Sequence, residues 1–153
     1  MADNILTKPL IALGADHAGF AYKEEIKKLL IELDFQVLDM GTFSADSVDY
    51  PDFVHPVAKA VTKGEADKGI LICGSGQGVC MTANKYQDIR AALVWTDEIA
   101  KFSRSHNDAN ILCLAERFTE LEIVLKIVQT FLTTEFEGGR HARRVDKISC
   151  QID

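Results

Sequence analysis

The feature that most constrains the fold is a fivefold alternation of short apolar runs with longer stretches whose apolar residues recur every three or four positions. Pro9 to Ala15 opens the series with the continuous run Leu10-Ile11-Ala12-Leu13, suited to a strand buried on both faces. A helix follows, with Tyr22, Ile26, Leu29, Leu30 and Leu33 inward and Lys23, Glu24, Lys27, Lys28 and Glu32 on the other face. Phe35 to Met40 is the second strand, and Pro51 starts a helix with Phe53, Val57, Ala60 and Val61 on its inner face. The third strand is Gly69 to Cys73, with a helix to about Tyr86, and the fourth is Ala91 to Trp95, with a helix from Asp97 to about His106. Ile111 to Ala115 is the fifth, before a long amphipathic helix carrying Leu121, Val124, Leu125, Val128 and Leu132. Alternation of this kind predicts right-handed crossovers and a parallel sheet covered on both faces. The expected fold class is α/β: a single-domain, Rossmann-like three-layer sandwich with a five-stranded parallel sheet. Residues 1–8 are expected to form a flexible terminus and 135–153 a basic tail.

Composition narrows the function. One domain with a single core suits 153 residues, of which 47% are hydrophobic and 26% charged. A net charge of −6 argues against a general nucleic-acid or anionic-membrane surface. No apolar run approaches the roughly 18 residues of a membrane span, and the opening residues lack the basic-then-apolar pattern of a signal peptide. Cys73, Cys80, Cys113 and Cys150 form no C-x-x-C pair and no zinc-finger spacing, so the expectation is thiols in a reducing cytoplasm and no metal site.

Chemistry concentrates where Lys68 to Cys73 meets Gly74-Ser75-Gly76-Gln77-Gly78, a buried strand feeding a tight loop and a helix start. Free N–H groups at such a start hold phosphates or oxyanions. A nucleotide cradle is one reading, with Asp97 placed for a ribose, but the third glycine of G-x-G-x-x-G falls on Val79 and the motif sits on the third strand. A reaction centre is the other, because ligands bind at the carboxyl ends of parallel strands and that rim collects Asp16, His17, Tyr50 and Cys73. Taken singly, each has a plain packing or capping explanation. Cys80, Cys113 and Cys150 lack such company and read as packing or surface residues. Arg140 and Arg144, spaced four apart in the one concentrated basic stretch, share a face if that stretch is helical and then suit a phosphate; the plain alternative is a solvated terminal helix paired with acidic neighbours.

Gly14-Ala15-Asp16-His17-Ala18-Gly19, Asp49-Tyr50-Pro51, Gly69 to Gly76, Ala83-Asn84-Lys85, His106-Asn107-Asp108 and Gly138-Gly139-Arg140-His141 together resemble the motif set of the ribose-5-phosphate isomerase B family, over Ile11 to about Ile148. That family includes allose-6-phosphate and galactose-6-phosphate isomerases. The resemblance implies interconversion of a phosphorylated aldose and ketose without metal or cofactor. Cys73 would be the base, since the glutamate some members carry in the glycine loop corresponds to Val79 here. Ser75 would hydrogen-bond the thiolate, and N–H groups of Gly74, Ser75, Gly76 and Gly78 would stabilise the enediolate. His106 would open the sugar ring with help from Asp16. His17, Arg140 and Arg144 would hold the phosphate, joined by Arg117, and Asn107 and Tyr50 would contact hydroxyls.

Topology adds one expectation. His106 lies just before the fifth strand, at the amino-end rim and opposite Cys73, so the site is expected to be composite, within a homodimer or a dimer of dimers. The leading expectation is ribose 5-phosphate as substrate. A six-carbon sugar phosphate (allose 6-phosphate or galactose 6-phosphate) and a non-catalytic nucleotide- or phosphate-binding module are the alternatives.

Overall fold

A computed structural model describes residues 8–150. The expectation of a flexible N-terminus therefore falls, but for Lys8, outside the described residues. The elements run β1 (Leu10–Ala15), α1 (Phe20–Glu32), β2 (Gln36–Asp39), α2 (Tyr50–Thr62), β3 (Lys68–Cys73), α3 (Gln77–Ala83), β4 (Ala91–Leu93), α4 (Asp97–Ser105), β5 (Ile111–Ala115), α5 (Leu121–Thr133) and α6 (Arg140–Asp146). All strands are parallel, in the order β2-β1-β3-β5-β4.

Side chains alternate along each central strand, and that alternation sorts the core into two layers. Ile11 and Leu13, Ile70 and Ile72, and Leu112 and Leu114 point to one face, against Ile26 and Leu30 of α1, Ala100 of α4 and Val124, Ile127, Val128 and Phe131 of α5. Ala12, Leu71, Cys73, Ile111 and Cys113 point to the other, against Val54 and Val57 of α2 and Val79 and Ala83 of α3. The three-layer sandwich is thus as expected.

The strand order reverses direction twice. β2 lies on one side of β1 and β3 on the other, and β5 inserts between β3 and β4. Crevices form at the carboxyl ends where such reversals occur, and Cys73 ends the strand that lies between them.

Several element boundaries shift by a few residues from expectation, among them those of α3, β4 and α2. α3 stops at Ala83, and Tyr86 is reached through turns, its N–H donating to Ala83 O at 3.2 Å. β4 extends only to Leu93, because Val94 and the exposed Trp95 already lead to the Thr96 cap of α4, whose Oγ1 accepts the Ile99 N–H. α2 begins at Tyr50, one residue before Pro51.

Lys23 is the clearest departure. Its position on the charged face predicts solvent, yet its side chain is fully buried. The ammonium donates to both Asp39 oxygens, at 2.9 and 2.7 Å, and to Glu24 at 2.8 Å, beneath the rings of Phe20 and Phe43 at 5.6 and 5.4 Å. Burial raises the Asp39 pKa, but hydrogen bonds from Lys23 and the Gly41 N–H, with the Lys23 charge, outweigh it and hold the carboxyl below its ordinary value. This pair anchors the chain after β2, where Gly41 and Thr42 bond back to Ala15 at the end of β1.

Candidate active site

The carboxyl-end rim gathers most of the expected residues within one chain. β3 delivers Cys73, 4% exposed, and the chain then turns through Gly76 in a left-handed conformation, φ +73°. A β-carbon at Gly76 would lie 2.5 Å from the Leu93 side chain, so both backbone and space require glycine there. That turn aims the Gly76 N–H at Cys73 Sγ, 3.2 Å away. Ser75 was expected to bond this sulfur. Instead it is exposed, and its Oγ accepts the Gln77 N–H at 3.4 Å, because the left-handed turn presents the following amide to the thiol. The Gly76 N–H is thus engaged by the Cys73 sulfur in this arrangement.

Around the thiol, β1 and β5 supply neighbours. Asp16, 8% exposed, accepts the N–H groups of Ala18 and Gly19 at 3.0 and 3.2 Å, which fixes the turn into α1. A side chain at Gly19 is impossible, since its β-carbon would meet Ile72 O at 2.4 Å. His17 Nδ1 accepts the Val48 N–H at 3.2 Å. A neutral imidazole accepting at Nδ1 carries its proton on Nε2, where it can donate to an anion. From the end of β5, the Glu116 and Arg117 N–H groups donate to Cys73 O and Gly74 O, at 2.9 and 3.0 Å. The Arg117 guanidinium lies over Gly74, 3.2 Å from where a β-carbon would stand. The Tyr50 ring lies closer still over Gly78, 2.6 Å from the equivalent point.

The other expected residues sit at the opposite rim. His106 follows α4, and β5, whose five residues span roughly 15 Å, separates it from the Cys73 end. Asp108, the last residue of the His106-Asn107-Asp108 motif, turns inward. It binds Arg104 at 2.8 Å and Arg90 at 3.3 Å, while Asn107 is exposed. The basic stretch is helical, so Arg140 and Arg144 share one face of α6. Both are exposed, and neither forms an ion pair among the described residues.

This rim also contains what sequence reasoning missed. The His141 ring stacks on His106, centroids 4.2 Å apart and planes 11° apart. The Phe102 ring also packs against His106, tilted by 37° with centroids 4.8 Å apart. The Glu137 carboxylate lies 3.8 Å from His106 Nε2 and 3.6 Å from His141 Nε2. Burial, followed by the neighbouring His106 and Arg140, pushes the His141 pKa below its ordinary value, against the pull of Glu137. The i,i+4 spacing of Glu137 and His141 was visible in the sequence; the arrival of His106, from a distant helix, was not.

These three side chains place N and O atoms within 4.8 Å of one another, enough donors for a metal. The ring planes argue against one, because stacked, nearly parallel imidazoles direct their lone pairs side by side rather than onto a shared ion.

The nucleotide reading fails on geometry. Val79, where the third glycine would stand, is buried in the core. Asp97 accepts the Thr130 hydroxyl and faces Lys126 at 3.9 Å, and its strand β4 is separated from β3 by β5.

A groove of about 820 Å³ runs along the exposed edge strand β4, between Asn84 and Tyr86 on one side and Ile99, Phe102 and Asn107 on the other. No helix among the described residues is long and apolar enough to cross a membrane.

Known proteins share this sequence pattern and fold. Ribose-5-phosphate isomerase B of Escherichia coli (strain K12) is 45% identical over 139 residues, 91% of this chain and 93% of that protein. The structure of Clostridium thermocellum ribose-5-phosphate isomerase B superposes with a TM-score of 0.90 at 51% identity, covering 91% of this chain and 94% of that one. That of Mycoplasma genitalium ribose-5-phosphate isomerase B with bound ribulose-5-phosphate gives 0.88 at 47% identity, covering 91% and 93%. The family described as Ribose/Galactose Isomerase matches residues 11–148, and this chain belongs to it.

Proposed function

We propose that this protein is an aldose–ketose isomerase that interconverts ribose 5-phosphate and ribulose 5-phosphate through an enediolate, with Cys73 as the base and no metal or cofactor. The observation that carries this reading is the convergence of Cys73, the glycine loop, Arg117, Tyr50 and His17 on one rim at a reversal of strand order. A backbone N–H aimed at sulfur is a contact made best to a thiolate. The thiolate takes the proton from C2 of the open-chain aldose, the C2–H pair forms the C1–C2 double bond, and the carbonyl pair passes to O1. N–H groups of Gly74, Ser75 and Gly78 then stabilise the charge on that oxygen. Return of the proton to C1, with the O2 proton passing to O1, completes the ketose. Ser75 acts through its backbone. Asp16 assists ring opening, and Tyr50 contacts a sugar hydroxyl.

His106, Asn107, Arg140 and Arg144 complete this site from a second copy of the chain, as a homodimer or dimer of dimers. Unpaired guanidinium groups at one rim and the half-built cradle at the other are complementary. Exposed Met81, Phe118 and Tyr50 near the carboxyl rim, together with the groove beside β4, offer apolar surface for the partner. His17, Arg117 and the partner's arginines hold the phosphate. Free thiols at Cys73, Cys80, Cys113 and Cys150 suit the cytoplasm.

Mixing Cys73→Ala and His106→Ala chains tests this. With random exchange, half the dimers are mixed and one site in each is intact, so about a quarter of the sites recover. No recovery despite proven exchange rejects the composite site. Comparing kcat/KM for ribose 5-phosphate, allose 6-phosphate and galactose 6-phosphate tests the sugar, and a six-carbon preference would overturn the pentose assignment.

A further inference from the structure

We infer that Glu137 is a positioning residue for ring opening: its carboxylate, shared between the Nε2 atoms of the stacked His106–His141 pair, keeps one proton on the pair and turns His106 Nδ1 toward the sugar. The inference rests on the isomerase reading and on the role of His106 in it.

The geometry is specific. Both Nε2 atoms face the same carboxylate, at 3.8 and 3.6 Å, and neither ring hydrogen-bonds to another group among the described residues. Two imidazolium rings stacked at 4.2 Å would repel, whereas one proton opposite one carboxylate is balanced. The surroundings decide which ring takes it. His141 is the more buried and stands among Arg140, Arg144 and His106, all of which disfavour its charged form. His106, packed against the Phe102 ring at 4.8 Å, is the other ring opposite that carboxylate. Glu137 is held in place by its backbone, whose N–H donates to Ser105 O at 3.0 Å, next to His106 itself.

Opening a furanose moves one proton. The C1–O4 bond breaks with its pair on O4, which takes a proton from the imidazolium. The O1–H pair becomes the carbonyl bond, and that proton returns to the imidazole. The pair begins and ends with a single proton, which is the state one shared carboxylate favours.

Glu137→Gln keeps the shape of the residue and removes its charge. Two measurements on the full chain separate its role. The first is steady-state conversion of ribose 5-phosphate. The second is deuterium uptake at C1 of ribulose 5-phosphate in D2O, an acyclic sugar whose exchange needs enolisation but no ring opening. In Glu137→Gln, kcat for ribose 5-phosphate should fall about tenfold with KM little changed, less than the about 10²–10⁴ that a general acid–base group supplies directly, while C1 exchange stays within about twofold. Unchanged turnover, or equal loss in both measurements, overturns the role of Glu137. His106→Ala tests the underlying reading separately. It should lose far more turnover while still exchanging C1, and turnover unaffected by that change would remove His106 from ring opening and this inference with it.

Discussion

The two rims of the sheet treat polar groups in opposite ways. At the carboxyl end the functional groups are already partnered. Cys73 receives the Gly76 N–H, Asp16 receives two amides, His17 receives the Val48 amide, and beneath them Lys23 and Asp39 form a buried pair. At the amino end, by contrast, His106 and His141 have only a carboxylate at longer range, and the guanidinium groups of Arg140 and Arg144 face solvent. The first rim is held by its own chain, whereas at the second Asp108 is paired with Arg104 and Arg90 but the two histidines and the two terminal arginines lack close hydrogen-bond partners among the described residues. Preorganisation is where enzymes obtain most of their electrostatic stabilisation, which suits the first rim to the proposed enolisation and the second to supplying the ring-opening histidine and the arginines that join His17 and Arg117 on the phosphate.

Substitutions at each rim should break this contrast in different ways. Cys73→Ala should lower kcat by about 10²–10⁴-fold, the contribution of a general base, with KM nearly unchanged. A drop of less than tenfold would move the base elsewhere. Lys23→Ala removes the closest partner of Asp39 and leaves it only Lys27 at 3.2 Å and the Gly41 N–H, so it should cost about 1–3 kcal/mol in urea unfolding. His106→Ala, at the open rim, should change stability by less than about 1 kcal/mol. Equal losses from these two would mean that the rims are not differently built. Arg144→Ala removes a charge-assisted contact worth about 1.5–3 kcal/mol, which should appear as a KM raised tenfold or more with a smaller change in kcat.

The smallest effects are the slopes of stability against pH. Both His141 and Asp39 have folded pKa values below their ordinary ones, so the unfolded chain binds more protons in each window and stability falls with acid. For His141 the loss begins as pH drops through about 6.5, and His141→Gln should flatten that slope. For Asp39 the contribution is complete above about pH 3.9 and is lost below it as the carboxyl protonates, so Asp39→Asn should flatten only this lower limb. A single transition unaffected by either change would show that neither group is linked to folding.

Much of the fold was legible because central parallel strands must be apolar on both faces. Leu10–Ala15, Lys68–Cys73 and Ile111–Ala115 show this as continuous runs, and β5 was placed to the residue. Short β4 and α3 blurred, since three or seven residues carry little periodicity and caps and turns decide their ends. Lys23 was not legible: a lysine on a charged helix face signals solvent until the structure shows that Asp39 and two aromatic rings converge on it. At the site, motifs identified residues singly, but the bond to the Cys73 sulfur comes from the Gly76 N–H and not from Ser75, because a left-handed turn redirects one amide. His141 and Glu137 escaped because their significance lies in meeting His106, some thirty positions earlier in the chain.

The placement of Cys73 and His106 at opposite ends of paired parallel strands has a consequence for assembly. Strands β3 and β5 lie side by side in register, so their ends mark a fixed direction in each subunit. For the carboxyl end of one sheet to meet the amino end of another, and the reverse to hold at the second site, the two sheets must run antiparallel. The twofold axis is then perpendicular to the strands. A dimer with its axis along the strands would bring like ends together, two thiol rims at one pole and two histidine rims at the other, and would be inert however tightly it associated. For the composite site proposed above, the direction of the twofold axis, and not affinity alone, decides whether two copies of this chain complete each other.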